Sequence, residues 1–154
     1  MIRRAIVTDI EVINNLLSQV LEIHAKGRPD IFKTGTKKFS DEELLELIKD
    51  DNKPIFVYEE NGKVLGYVFV EYEIERNSHS KQDRKSLFIE DFCVDEKYRK
   101  KGIATELFKY CELLAKKEKC NSITLNVWHL NNGAIAFYEK MGMNPLKTIM
   151  EKSV

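Results

Sequence analysis

The chain has 154 residues, enough for one domain with its own apolar core, and its 25 basic and 25 acidic side chains cancel to a formal charge of zero. Zero net charge excludes whole-surface attraction to nucleic acid or to an anionic membrane, so charge-driven binding must be local. The 43% hydrophobic and 32% charged residues are those of a water-soluble globular protein, and no apolar run reaches transmembrane length.

Cys93, Cys111 and Cys120 show neither CxxC nor metal-ligand spacing and read as free thiols of a reducing cytoplasm, the compartment expected here. Met1 and Ile2 lead through Arg3 and Arg4 into a short mixed segment, so no signal peptide is expected, and 1–154 is read as a single domain.

Residues 2–7 form the expected first strand. Thr8 or Asp9 then caps a helix to about Lys26, with Ile10, Ile13, Leu16, Leu17, Val20, Leu21 and Ile23 as its apolar stripe. Gly27, Arg28 and Pro29 end it, and 30–39 is a loop. Ser40 followed three residues later by Glu43 has the form of a capping box, predicting a second helix to about Lys49. Pro54 opens a strand over 55–59. Asn61-Gly62 predicts a two-residue hairpin turn, because both residues tolerate positive φ, and the return strand runs over 64–74.

A polar loop over 76–84 precedes the apolar, aromatic-rich run 87–94, read as a buried strand. After a charged turn, Gly102 opens a segment with Ile103, Leu107, Cys111 and Leu114 at helical spacing. A strand is expected over 123–128, a short helix over 134–141 stopped by Gly142, and a last strand over 146–150. The strand–helix–strand unit around residues 87–128 makes its two strands parallel, while the hairpin is antiparallel. The fold class is α/β (α+β mixed), a central mixed, largely antiparallel sheet of about six or seven strands with helices on both faces.

The turn between strand and helix carries chemistry. A helix start with free backbone N–H groups, beside Arg99, Lys100 and Lys101, is an anion site suited to phosphate. Gly102 removes the Cβ from the ligand's approach, and Ala104 keeps the first turn slim. A Walker loop needs Gly-Lys-Ser/Thr, whereas Lys101 precedes Gly102; a Rossmann turn needs three spaced glycines, and only Gly102 is present.

Residues 94–104, VDEKYRKKGIA, resemble the acetyl-CoA loop of the GNAT family of N-acetyltransferases, whose pattern of Arg or Gln, two residues, Gly, one residue, Gly or Ala is met by Arg99, Gly102 and Ala104. Residues 131–143, NNGAIAFYEKMGM, resemble the family's closing signature, with Met143 in place of the usual aromatic. The resemblance implies the GNAT, or acyl-CoA N-acyltransferase, fold, with a cleft where the fourth and fifth strands run parallel and splay apart. It implies acetyl-CoA as cofactor, its pantetheine arm along Phe92, Cys93 and Val94. Its pyrophosphate would lie on the amides of Arg99, Lys100, Lys101, Gly102, Ile103, Ala104 and Thr105, with Asn131 touching the arm. Tyr138 matches the tyrosine that protonates the departing thiolate, and Glu90 stands where several members carry a proposed base. The Ile89-Glu90-Asp91-Phe92 run also looks like that of polyamine acetyltransferases in the family.

A coenzyme A thiolate of pKa about 8.5 and a phenol of about 10 exchange a proton in near balance, so a positioned tyrosine is a workable general acid. Tyr138 also shares a helical face with Ala134, Phe137 and Met141, which is the placement of an ordinary core aromatic with a bonded hydroxyl. Strand alternation sets Phe88, Glu90, Phe92 and Val94 on one face and Leu87, Ile89, Asp91 and Cys93 on the other. An alkylamine of pKa about 10.4 must lose a proton before it attacks a thioester, which either carboxylate can accept, although both also suit structural bonding. Glu71, Glu73 and Glu75 line one face, as an acidic wall for a cationic substrate or as a solvated sheet end. His24, His79 and His129 lie in unrelated contexts, and no metal is assigned.

The expected activity is transfer of an acetyl group to the primary amine of a small molecule, a polyamine-like compound or a peptide. Two alternatives stay open: a non-catalytic acyl-CoA sensor of the same fold, and a protein-directed lysine or N-terminal acetyltransferase. No nucleic-acid or membrane partner is expected, and a homodimer is left open.

Overall fold

The computed structural model describes residues 1–154. In chain order it contains β1 (Ile2–Arg4), a 3-10 turn at Val7–Asp9, α1 (Ile10–Gly27), α2 (Asp41–Lys49), β2 (Ile55–Glu60), β3 (Lys63–Glu75), β4 (Arg84–Val94), a 3-10 turn at Glu96–Tyr98, α3 (Ile103–Lys117), β5 (Ser122–Leu125) and α4 (Asn132–Lys140). The sheet runs β1-β2-β3-β4-β5, antiparallel throughout except for the parallel β4–β5 pair.

Local chemistry sets several boundaries. Ser40 Oγ accepts from the Glu43 amide at 3.1 Å while Glu43 Oε2 accepts from the Ser40 amide at 2.7 Å, the reciprocal capping box that starts α2. Asn61 and Gly62 take φ of 50° and 73°, the paired left-handed turn that closes the β2–β3 hairpin. Gly142, with φ 89°, closes α4: its amide donates to Glu139 O and that of Met143 to Tyr138 O. Asp9 sits at the head of α1, but its carboxylate does not cap the helix; it accepts from the Ile6 amide and from Arg3.

Two cores flank the sheet. On one face Ile13, Leu16 and Leu17 of α1 and Leu44 and Ile48 of α2 cover Ile55, Val57, Tyr67, Phe69 and Cys93. On the other, Leu107, Phe108, Cys111 and Ala115 of α3 cover Val68, Val70, Leu87, Ile89 and Val94, with Phe137, Tyr138 and Met141 of α4 packed at the margin.

Four expectations are corrected. The sheet has five strands, not six or seven. The segment 146–150 is no strand, because no strand edge of its own chain lies beside it; Leu146, Ile149 and Met150 are 78%, 90% and 86% exposed. β5 stops at Leu125 instead of 128, where its neighbour β4 bends away. The bend is a β-bulge: Phe69 pairs with Asp91 but Val70 with Ile89, so Glu90 has no partner across the ladder. One extra residue reverses the alternation beyond it. Leu87, Ile89, Phe92 and Val94 therefore all face α3, and Asp91 and Cys93 face α1, which overturns the expected grouping of Glu90 with Phe92 and Val94.

Candidate active site

The bulge opens the sheet. β4 and β5 pair from Ser86↔Ser122 to Ile89↔Leu125 and no further, while β4 runs on to Val94. Asp95 N–H donates to Leu65 O on β3 at 2.9 Å. Strand alternation then turns the backbone groups of Cys93 and Asp91 toward β3 and those of Phe92 and Val94 toward the gap. In that gap Val94 O accepts from Arg99 Nε at 3.1 Å, and the rest of this edge is free to pair.

The loop past Val94 ends in a run of unsatisfied donors. No backbone or side-chain acceptor meets the amides of residues 99–105; the helical ladder of α3 begins only with Glu106 N–H to Gly102 O at 3.0 Å. Lys100 and Gly102 adopt positive φ of 62° and 86°, while Lys101 between them does not. Such alternation turns successive N–H groups to one concave side, and the helix dipole adds its positive end there. Gly102 supplies no side-chain cap, so the first-turn amides stay available. Lys101 Nζ lies 4.9 Å from the Tyr98 ring centroid, and Arg99 ties the loop to the end of β4.

On the α3 side of the gap, α4 presents Tyr138. Its ring packs against Phe92, Phe108 and Phe137 at centroid distances of 6.2, 6.4 and 5.4 Å. Burial, then the charge of Asp91, raises the phenol well above its ordinary range, so it stays protonated at neutral pH. Asn131 Oδ1 caps α4 by accepting from the Ala134 amide at 3.2 Å, which leaves its Nδ2 group unspent.

On the α1 side, Asp91 is the focus. Its side chain is 9% exposed, with Tyr67 Oη donating to Oδ1 at 2.8 Å and Lys38 Nζ to Oδ2 at 2.7 Å. Burial first, and then Asp91, push the Tyr67 phenol well above its ordinary range. Beside this group His24, Phe32 and Trp128 form an aromatic cluster, with centroids 5.1 Å apart for His24–Phe32 and Phe32–Trp128. Burial holds the His24 imidazole below its usual value; Asp91 works against that shift and Lys38 adds to it. A neutral imidazole, packed with two aromatics, thus lies near a carboxylate that already holds an ammonium. A depression of about 550 Å³ lined by Phe39, Glu42, Glu43, Glu46, Leu47 and Asp50 lies on α2, outside this constellation.

An open strand edge, a row of unpaired amide donors and a protonated phenol thus adjoin the same gap. The model of the acetyltransferase (GNAT) family matches residues 17–143, which spans both the loop and Tyr138. The chain belongs to the GNAT acetyltransferase family. It is 32% identical over 103 residues to an uncharacterised N-acetyltransferase of Methanocaldococcus jannaschii, covering 67% of this chain and 44% of that protein. To the spermine/spermidine N(1)-acetyltransferase of Bacillus subtilis it is 30% identical over 91 residues, 58% of each chain. The chain therefore spans about half the length of the curated relatives it matches. Among solved structures, a mutant protein from Bacillus halodurans superposes with a TM-score of 0.96 at 30% identity, over 100% of this chain and 99% of that one.

In this GNAT chain the expected positions divide. Phe92, Val94, Arg99, Lys100, Lys101, Gly102, Ile103, Ala104 and Thr105 line one continuous path from the β4 edge to the head of α3, with Tyr138 across it. Cys93 lies off that path: its backbone faces β3, its thiol donates to Leu16 O, and burial pushes it up to about 12. Glu90 is exposed at the bulge, and Asp91 is the carboxylate enclosed by side chains. Glu71 and Glu75 pair with Lys53 and Lys81, each at 3.4 Å, so that strand face is no unpaired acidic wall. Sequence reasoning missed Lys38, Phe32, His24 and Trp128. The available signal was Phe32 and Phe39 in a lysine-rich loop and the single tryptophan beyond β5.

Proposed function

We propose that this protein transfers an acetyl group from acetyl-CoA to the primary amine of a small cationic molecule. The observation that carries the proposal is the unbroken run of unpaired amides at 99–105, adjoining the free edge of β4, on whose Phe92 the protonated Tyr138 packs. These residues fit the cofactor: the amides offer donors for a diphosphate, and Phe92 and Val94 offer strand-like pairing to an amide-bearing arm. When bound, acetyl-CoA supplies an activated acyl group.

The chain's own part is to align and to move protons. Asp91, fixed by Tyr67, takes the substrate ammonium in the place that Lys38 Nζ now holds. An ammonium has a pKa of about 10.4, so the attacking form needs a base; Asp91, or Glu90 through water, takes that proton. Tyr138 donates its proton to sulfur. Its raised pKa would make that donation uphill toward a solvated thiolate of about 8.5. Burial raises thiols in this protein as well: Cys93 and Cys111 are pushed up to about 12, and a thiolate formed against the buried Tyr138 is shifted the same way.

The enclosed single carboxylate supports a small amine over a peptide. The polyamine substrates named for the Bacillus subtilis relative support a cationic one. The test is thiol release from acetyl-CoA over a panel of polyamines, aminoglycosides, free lysine and lysine peptides. Turnover confined to small polycations is expected. Turnover only with peptides would select the protein-directed alternative, and CoA binding without turnover on any amine would select the sensor.

A further inference from the structure

We propose that Lys38 is a specificity-determining residue, a built-in occupant of the acceptor subsite that a substrate amine must displace from Asp91. The inference rests on the reading of Asp91 as the carboxylate that takes the substrate ammonium.

The two partners are held very differently. Asp91 sits on β4 with its side chain 9% exposed, and Tyr67 Oη donates to its Oδ1 at 2.8 Å, so the carboxylate is fixed. Lys38 lies in the connection between α1 and α2, and its side chain is 40% exposed. Neither its amide nor its carbonyl makes a hydrogen bond. Its ammonium is what holds it: Nζ donates to Asp91 Oδ2 at 2.7 Å and lies 5.4 Å from the centroid of the Phe39 ring. Lys37 is the contrast. It pairs with Asp41 at 3.2 Å, with side chains 59% and 60% exposed, an ion pair of little worth in water.

A carboxylate as enclosed as Asp91 is costly to leave without a partner charge. Lys38 supplies that charge whenever no substrate does. A substrate ammonium supplies the same charge, and a lysine with no backbone bond of its own can swing out to water. The exchange trades one ion pair for another, so affinity comes from what the substrate adds beyond its ammonium. A neutral alcohol or amide brings no charge and does not displace Lys38. The occupant also displays the shape that fits: a primary ammonium on a flexible, unbranched methylene stem.

Calorimetry of the full chain with spermidine, without acetyl-CoA, separates this inference from acetyl transfer. Lys38→Met keeps the stem and removes the competing charge, so spermidine should bind about fivefold tighter than to the unaltered chain. A lysine that merely supports Asp91 gives the opposite sign, because its loss weakens binding. One arm needs no variant. In the 15N-labelled unaltered chain the Lys38 ammonium, held in its ion pair, should give an NMR signal that disappears as spermidine saturates the site. Equal or weaker binding by Lys38→Met, or a Lys38 signal that persists at saturation, would overturn the proposal. Tighter binding by the variant with no thiol release from acetyl-CoA would sink acetyl transfer and leave the assignment of Lys38 standing. Thiol release with unchanged affinity in the variant would sink the assignment alone, and spermidine that binds neither chain would overturn both.

Discussion

In the proposed reaction Tyr138 and Asp91 divide the chemistry from opposite sides of the sheet, at the gap where β4 leaves β5. Removing the phenol oxygen leaves the aromatic packing on Phe92 and Phe108 in place, so Tyr138→Phe should fold normally. A general acid contributes roughly 100-fold or more. The turnover of Tyr138→Phe should fall by at least about that factor while CoA affinity changes less than about twofold. Steady-state thiol release and calorimetry measure the two, and unchanged turnover would remove Tyr138 from the chemistry. The two neighbouring carboxylates should behave differently. A hydrogen bond to a charged group is worth about 1.5–3 kcal/mol, so Asp91→Asn should raise KM for a cationic amine about 10- to 100-fold. Glu90→Gln, exposed at the bulge, should shift KM less than about threefold. The reverse order would return the acceptor role to Glu90.

The elements that hold these residues were legible wherever a local chemical rule fixes them. Ser40 and Glu43 announce the start of α2, Asn61-Gly62 announces the hairpin, and Gly142 announces the end of α4. The loop at 99–105 was legible for the same reason, because Gly102 between a strand and a helix leaves little else to build. The bulge at Glu90 was not. It depends on how β4 pairs with β3, a tertiary fact, and it reverses the parity from which the faces had been read. The missing last strand is a second case, since residues 146–150 have strand composition but no neighbouring edge in their own chain. The aromatic cluster of His24, Phe32 and Trp128 joins three segments far apart in sequence and leaves no local pattern. At the loop a direct test is available. Gly102 has φ 86°, with open space where a Cβ would go. Gly102→Ala therefore adds only backbone strain, about 1–2 kcal/mol. CoA affinity should weaken about tenfold, with amine KM little changed. An affinity that does not move would mean that the loop conformation does not matter for the cofactor.

For the molecule as a whole, the same burial that tunes the site sets its response to alkali. Cys93 and Cys111 rise from the ordinary value near 9 to about 12, Tyr72 rises to about 12, and Tyr67 and Tyr138 are raised as well. Folding keeps these acids protonated, whereas the unfolded chain releases their protons from about pH 9 for thiols and about pH 10 for phenols. The unfolded state then binds fewer protons, so stability is intact below pH 9 and falls as pH climbs toward 12. The slope approaches about 1.4 kcal/mol per pH unit for each group once its unfolded form is ionised. Thermal melts should be flat from pH 7 to 8.5 and then drop. In Cys93→Ala, compared at each pH with the unaltered chain, the drop should be shallower, with Cys111 still setting its onset. A melting temperature constant to pH 11 would contradict this assignment of buried protonated acids.

The central claim is that the amides at the head of α3 hold the diphosphate of acetyl-CoA in the β4–β5 gap. Backbone amide NMR during titration of the full chain with CoA tests it most directly. The account predicts saturable shifts concentrated at residues 99–105, with further shifts at Phe92 and Val94. An absence of binding, or shifts centred elsewhere with 99–105 undisturbed, would contradict it.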